Sequence, residues 1–126
     1  MVFKRYEDII AWQKGRDLVM SVYQAARVGD FAKDWGLRDQ IQRAAVSVCS
    51  NIAEGYARRG NKEFVKFLWI AKGSSAEVQS QLYYAKDLSY ISEETFNTLY
   101  TSTNEIQACL CRLIQSIGSD PERQKL

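Results

Sequence analysis

Glu93 to Ile117, EETFNTLYTSTNEIQACLCRLIQSI, is the stretch that decides the fold. Within it Phe96, Leu99, Thr103, Ile106, Leu110, Leu113 and Ile117 recur at alternating steps of three and four. That spacing lays one apolar seam along a helix and fits no strand, whose faces alternate at every second residue. Ser92 precedes the seam as an N-cap, and Glu93 and Glu94 complement the dipole of the first turn. Gly118 closes it, and Pro121 discourages its resumption.

Three further helices are expected upstream. The first runs from about Asp8, its cap, to Val28, with Gly29 as a C-cap glycine. Ile9, Trp12, Val19, Tyr23 and Ala26 fall near one face, widened by Val22 and interrupted by Arg16. The second follows Asp34 from Trp35 to Arg58, with Leu37, Ile41, Ala44, Val48, Ile52 and Tyr56 on its core line. Its small residues (Ala44, Ala45, Ser47, Ser50, Ala53, Gly55) let a neighbouring helix come close, and Gly60 and Asn61 mark a reversal. The third, capped by Asn61, runs from Lys62 to Tyr90 on Phe64, Phe67, Leu68, Ala71, Ser75, Val78, Leu82 and Ala85. Gly73 inside it costs about 1 kcal/mol relative to Ala, which implies another backbone passing close by. Four amphipathic helices on short connections predict an all-α, antiparallel up-down-up-down four-helix bundle. The chain reads as a single domain over 1–126, ending in a short polar tail at 119–126.

The composition narrows the chemistry. Of 126 residues, 17 are Lys or Arg and 15 are Asp or Glu, a net charge of +2. So weak an excess says nothing of nucleic acid, and any electrostatic argument rests on where charge is placed. The chain has no histidine, which removes the commonest general base, the Ser-His and Cys-His pairs and imidazole metal ligands. No enzyme activity, metal or cofactor is expected. Cys49, Cys109 and Cys111 lie in apolar helical patterns and read as reduced thiols. The first eight residues hold no apolar signal core, and the longest uncharged stretches, at 44–53 and 95–104, are ten residues each. No membrane partner is expected, and a cytoplasmic protein is.

Three sets of residues are candidates for function. On the third helix Val65, Trp69, Ala76 and Tyr83 cluster roughly 120° from the core line. They are candidates for an interface between copies, or they widen contact with an adjacent helix of the same chain. Ser47, Asn51 and Glu54, with Arg58, follow one line of the second helix, and Ser74 and Glu77 sit on a flank of the third. These polar groups are expected to hydrogen-bond between helices and fix register. Arg58, Arg59, Lys62 and Lys66 gather at the turn between the second and third helices, facing Glu54 and Glu63. They are the candidates for nucleic-acid binding, with Tyr56 and Trp69 the nearest aromatics for stacking on bases.

Several of these residues fall within spaced motifs. Tyr6-x-Asp8-Ile9-x-x-Trp12-Gln13-Lys14 is followed by Gly36-Leu37-x-x-Gln40-Ile41-x-Arg43-Ala44-Ala45-Val46-Ser47 and Ser50-Asn51-Ile52-Ala53-Glu54-Gly55. Then comes Glu63-Phe64-x-x-Phe67-Leu68-x-Ile70-Ala71-Lys72-Gly73-Ser74-x-x-Glu77. Together they resemble the four-helix-bundle family named for intervening sequences in bacterial 23S ribosomal RNA, over roughly residues 6–90; Lys72 stands where a small residue is expected. The resemblance implies a cytosolic bacterial protein without known enzyme activity that forms homo-oligomers, typically pentameric rings. Accessory proteins of diversity-generating retroelements are similar to this family, which brings a reverse transcriptase in as a second partner beside RNA. Two readings follow: an oligomer that binds RNA or a ribonucleoprotein, and a protein-interaction scaffold or reverse-transcriptase accessory subunit without direct RNA readout.

Overall fold

The computed structural model describes residues 3–118; the polar tail expected at 119–126 lies outside the described residues. All regular structure among them is helical. A 3-10 turn at Tyr6–Asp8 leads into α1 (Ile10–Ala26), α2 (Gly29–Lys33), α3 (Trp35–Ala57), α4 (Asn61–Asp87) and α5 (Glu93–Gly118). Each long helix packs on two others: α3 lies against α1 and α4, and α5 lies against α4 and α1.

The seam of α5 is buried at all seven of its expected positions. It meets Ile41, Ile52, Phe64, Leu68, Leu82 and their neighbours in one apolar core. Each such side chain contributes about 1.5–3 kcal/mol when fully buried. Asp34 caps α3, accepting from the Leu37 amide at 3.1 Å, and Ser92 caps α5, accepting from the Thr95 amide at 3.0 Å.

Other expectations are corrected. The buried face of α1 is Ala11, Gly15, Leu18, Val22 and Ala26, with Trp12, Val19 and Tyr23 on its flanks. A glycine stands in that face where α3 comes close: a Cβ on Gly15 would lie 2.7 Å from Cys49 Sγ. Asp8 does not cap α1; Ile9 holds that position, and Asp8 pairs with Arg5 at 3.5 Å. Gly29 does not close α1 either. At φ 58° it opens α2, whose Phe31 is buried and stacks on Tyr90 at 5.3 Å. A connection in the sequence is thus a plug over one end of the core. Gly60, at φ 92°, takes the cap position before α4, and Asn61 is the first residue of that helix.

The end of α4 comes sooner than the hydrophobic pattern implies. Ser89 adopts φ 62°, its amide bonds Lys86 O, and the Tyr90 amide bonds Ala85 O at 2.8 Å. This pair of bonds is a Schellman motif with serine in place of the usual glycine. Gly73 is also corrected. It is exposed, and a Cβ there would meet nothing within 4 Å. The close approach between α3 and α4 is at Gly55, where a Cβ would lie 2.6 Å from Phe67 Cβ and 3.3 Å from Phe64 O.

Candidate nucleic-acid interface

The α3–α4 turn sets the basic residues at one end of the molecule. At Arg58 the chain becomes extended, and the Arg58 amide closes α3 on the carbonyls of Glu54 and Gly55. Gly60 then reverses the chain, so Arg59 projects from the turn itself. Lys62 and Lys66 follow one turn apart on α4 and therefore share a face.

All four side chains are exposed, but they are not equivalent. Arg58 Nη2 donates to Glu54 Oε1 at 2.9 Å, and its guanidinium lies 5.1 Å from the centre of the Phe67 ring. Its charge is thus already engaged from within the chain. Among the described residues no carboxylate lies within ion-pair distance of Arg59, Lys62 or Lys66. These three are the cations left to face a polyanion.

The aromatics divide in the same way. Tyr56 is half-buried; its hydroxyl donates to Phe3 O and its ring meets Phe64 edge-on at 5.9 Å. It holds the N-terminal segment on the core and presents no face for stacking. Trp69 is 51% exposed, with Lys72 Nζ 5.1 Å from its ring centre. It lies one turn beyond Lys66 on the outer side of α4.

The expected interface residues separate into two pairs. Val65 is half-buried against the core. Tyr83 keeps an exposed edge, but its ring packs on Phe96 at 4.9 Å and Tyr100 at 5.6 Å. Their shared hydrogen bond, with burial, raises the pKa of Tyr100 above the ordinary phenol value. Tyr83 widens the α4–α5 seam and Val65 packs on the core, while Trp69 and Ala76 face outward.

The polar set contains one inter-helix bond. Ser47 Oγ and Ser74 Oγ are 2.8 Å apart, and Asn51 Nδ2 donates to Ser47 O at 2.8 Å and Ser47 Oγ at 2.9 Å. This network fixes the register of α3 on α4. Glu54 instead serves Arg58 on its own helix, and Glu77 is exposed on α4.

The remaining polar chemistry is structural. Cys49 donates to Trp12 O at 3.4 Å, and burial pushes its thiol up to about 12. Tyr90 donates to Asp34 Oδ2 at 2.9 Å, which raises its pKa and ties the α4–α5 turn to the cap of α3. A groove beside the start of α1 is lined mainly by Phe3, Ile9, Ile10 and Leu113, with Arg112 3.3 Å from Cys109 Sγ at its wall. Among the described residues no group of three or more Cys, Asp or Glu is placed to hold a metal ion. No helix among them is long and apolar enough to cross a membrane.

Comparison with known proteins gives one family and one fold. Residues 7–112 match the family described as 23S rRNA-intervening sequence protein. A crystal structure of a protein of unknown function from the S23 ribosomal protein family of Bacteroides thetaiotaomicron is similar in fold. Its TM-score is 0.76 at 21% identity, covering 83% of this chain and 98% of that one. No curated protein matches the chain in sequence.

Proposed function

The chain belongs to the 23S rRNA-intervening sequence protein family, and from that premise we propose that it is a non-catalytic, homo-oligomeric bundle that binds RNA through its α3–α4 turn. The family name supplies the RNA context. The observation that carries the reading is the convergence of Arg59, Lys62 and Lys66, exposed and without carboxylate partners among the described residues, at one end of the molecule. Phosphate contacts from such groups position a nucleic acid without reading its sequence. One copy offers a small patch; copies repeated around an axis add their patches and raise avidity without any new contact.

We read the four long helices as an up-down-up-down bundle. Contacts between successive helices widen in sequence away from each connection: Tyr56 with Phe64, then Ser47 with Ser74; Lys86 with Glu93, then Gln79 with Thr103. A ring of copies, with five the number that the family resemblance implies, suits this arrangement. A cytoplasmic setting and the absence of catalysis belong to the same proposal; the lack of any histidine supports the second.

The test is RNA binding across a salt series. Three phosphate contacts per copy on a single strand predict a slope of log K against log salt of about −2 for each copy engaged. Arg59→Glu with Lys62→Glu should flatten that slope and weaken binding while the assembly keeps its mass. Equal binding by variant and parent would remove the turn as the RNA site. One observation favours the second reading, a scaffold that docks a protein such as a reverse transcriptase: Arg58 is already engaged by Glu54 and Phe67. That reading expects no salt-dependent binding of bare RNA at all.

A further inference from the structure

We propose that copies of this chain join head to tail, with the outer face of α4 on one copy docked against the outer face of α1 on the next. The inference rests on the homo-oligomer reading above and names the two surfaces. Since α1 and α4 each pack between α3 and α5, their outer faces look away from one another. One molecule therefore presents both, and each is free to engage a different neighbour.

The α4 face is apolar at its ends and small in its middle. Trp69 and Tyr84 are 51% and 54% exposed. Gly73, Ala76 and Ser80 lie between them within roughly 80° of arc. Among the described residues nothing meets a Cβ at Gly73, so none of them requires a glycine there. The α1 face carries Met20, 57% exposed, over a shallow apolar groove that it forms with Val19, Tyr23 and Arg27.

The charges on the two faces are complementary. Glu77 and Asp87 on α4 are exposed and have no cation within ion-pair distance among the described residues. Arg16 on α1 and Arg27, the residue at its C-cap, are exposed and have no carboxylate within that distance among the described residues. Arg16 lies over Trp12 at 5.9 Å, and Arg27 lies over Tyr23 at 4.8 Å with Nε 3.4 Å from Gln42 Oε1. The spacing agrees too. Glu77 and Asp87 are separated by about 15 Å of helix, Arg16 and Arg27 by about 17 Å. In an up-down-up-down bundle α1 and α4 run the same way, so copies sharing one orientation bring them together in parallel. Setting Arg16 against Glu77 then places Met20 beside Ser80, Tyr23 against Tyr84 and Arg27 against Asp87. Two unlike surfaces make a heterologous contact, which closes into a ring when the rotation between copies allows it.

Charge reversal tests this by light scattering at a concentration where the parent is assembled. Glu77→Arg with Asp87→Arg, and separately Arg16→Glu with Arg27→Glu, should each lower the mass to one chain. All four changes in one chain should restore the parent mass. An assembled parent that ignores the α1 changes, or a four-fold variant that stays dissociated, would overturn the inference and leave the homo-oligomer reading standing. A parent of single-chain mass would overturn both. Helical circular dichroism confirms folding of each variant, and Met20→Lys, at an exposed position, is the independent probe of the α1 face. It should also dissociate the parent, and unchanged mass would again overturn the inference. Loss of assembly with the α4 changes alone would instead indicate a contact of α4 with its own symmetry mate.

Discussion

Gly55 and Gly73 lie on adjacent helices of one molecule, and their surroundings are opposite. Gly55 is buried where α3 crosses α4, and a Cβ on it would collide with Phe67 Cβ and crowd Phe64 O. Gly73, on the outer side of α4, has open space around it. Both are helical, and both forgo the helix propensity of alanine. The inner glycine is explained by the chain's own packing. The outer one is not, and it sits between Trp69 and Tyr84 on the face that we assign to a neighbouring copy. A glycine inside a helical pattern therefore signals close approach only where the partner is known.

The largest expected effect breaks the inner half of that comparison. Gly55→Ala meets a Cβ and a carbonyl, neither of which can swing aside, so overpacking should destabilise the fold by about 1–3 kcal/mol. The denaturant midpoint measures it, and an unchanged midpoint would show that the seam yields. Next, Ser74→Ala removes the hydroxyl that bridges to Ser47, at a cost of about 1 kcal/mol. Asn51 retains its bond to Ser47 O, so the loss should stay well below that at Gly55. Gly73→Ala works in the opposite direction. In the Glu77→Arg, Asp87→Arg background, where chains are expected to be separate, it should raise stability by up to about 1 kcal/mol. A fall in the melting temperature there would reveal an intrachain neighbour and erase the contrast.

The contrast also explains what the sequence could tell. The α5 seam was legible in full because one long helix carried one sharp stripe with polar residues on the other side. The core lines of α3 and α4 were legible in most positions, with Leu37, Tyr56 and Phe67 left half-buried at the margins. On α1 two apolar sets compete, and size prejudice favours Trp12 and Tyr23. At Gly15 burial follows from the approach of α3, whose Cys49 and Val48 crowd the Cβ position, a fact held by the other helix. Five residues are too few to show a period, so α2 and its buried Phe31 read as a connection. Ser89 ends α4 in a conformation for which glycine is the usual signal. At the candidate site, exposure of Arg58, Arg59, Lys62 and Lys66 followed from their charge. The Glu54–Arg58 pair was visible as a four-residue spacing, whereas the Ser47–Ser74 bond depends on the register of two helices. Arg16, Met20 and Arg27 went unread as a surface because each alone looks like an ordinary solvent-facing residue.

The three thiols are all half-buried, and they supply a last test whose effect on stability is nil at neutral pH and grows only in alkali. Cys49 lies under Gly15, bonded to Trp12 O, and burial holds its pKa near 12 against the nearby Arg16, whose charge acts to lower it. The folded state therefore keeps this proton where an unfolded chain would release it at about pH 9. Stability drawn from the protonated thiol is complete below the unfolded value and is lost as pH climbs from there toward 12. Tyr90 and Tyr100, whose pKa values are also raised, contribute to the same alkaline decline. Comparison with Cys49→Ala isolates the thiol: the variant should lose less stability between neutral pH and pH 11 than the parent does. At neutral pH iodoacetamide should modify Cys109 and Cys111 before Cys49. Equal labelling of all three, followed by mass spectrometry of peptides, would mean that the α1–α3 contact opens on the timescale of alkylation. The steric reading of Gly15 would then fail along with the thiol's protection, because both depend on those two helices staying in contact.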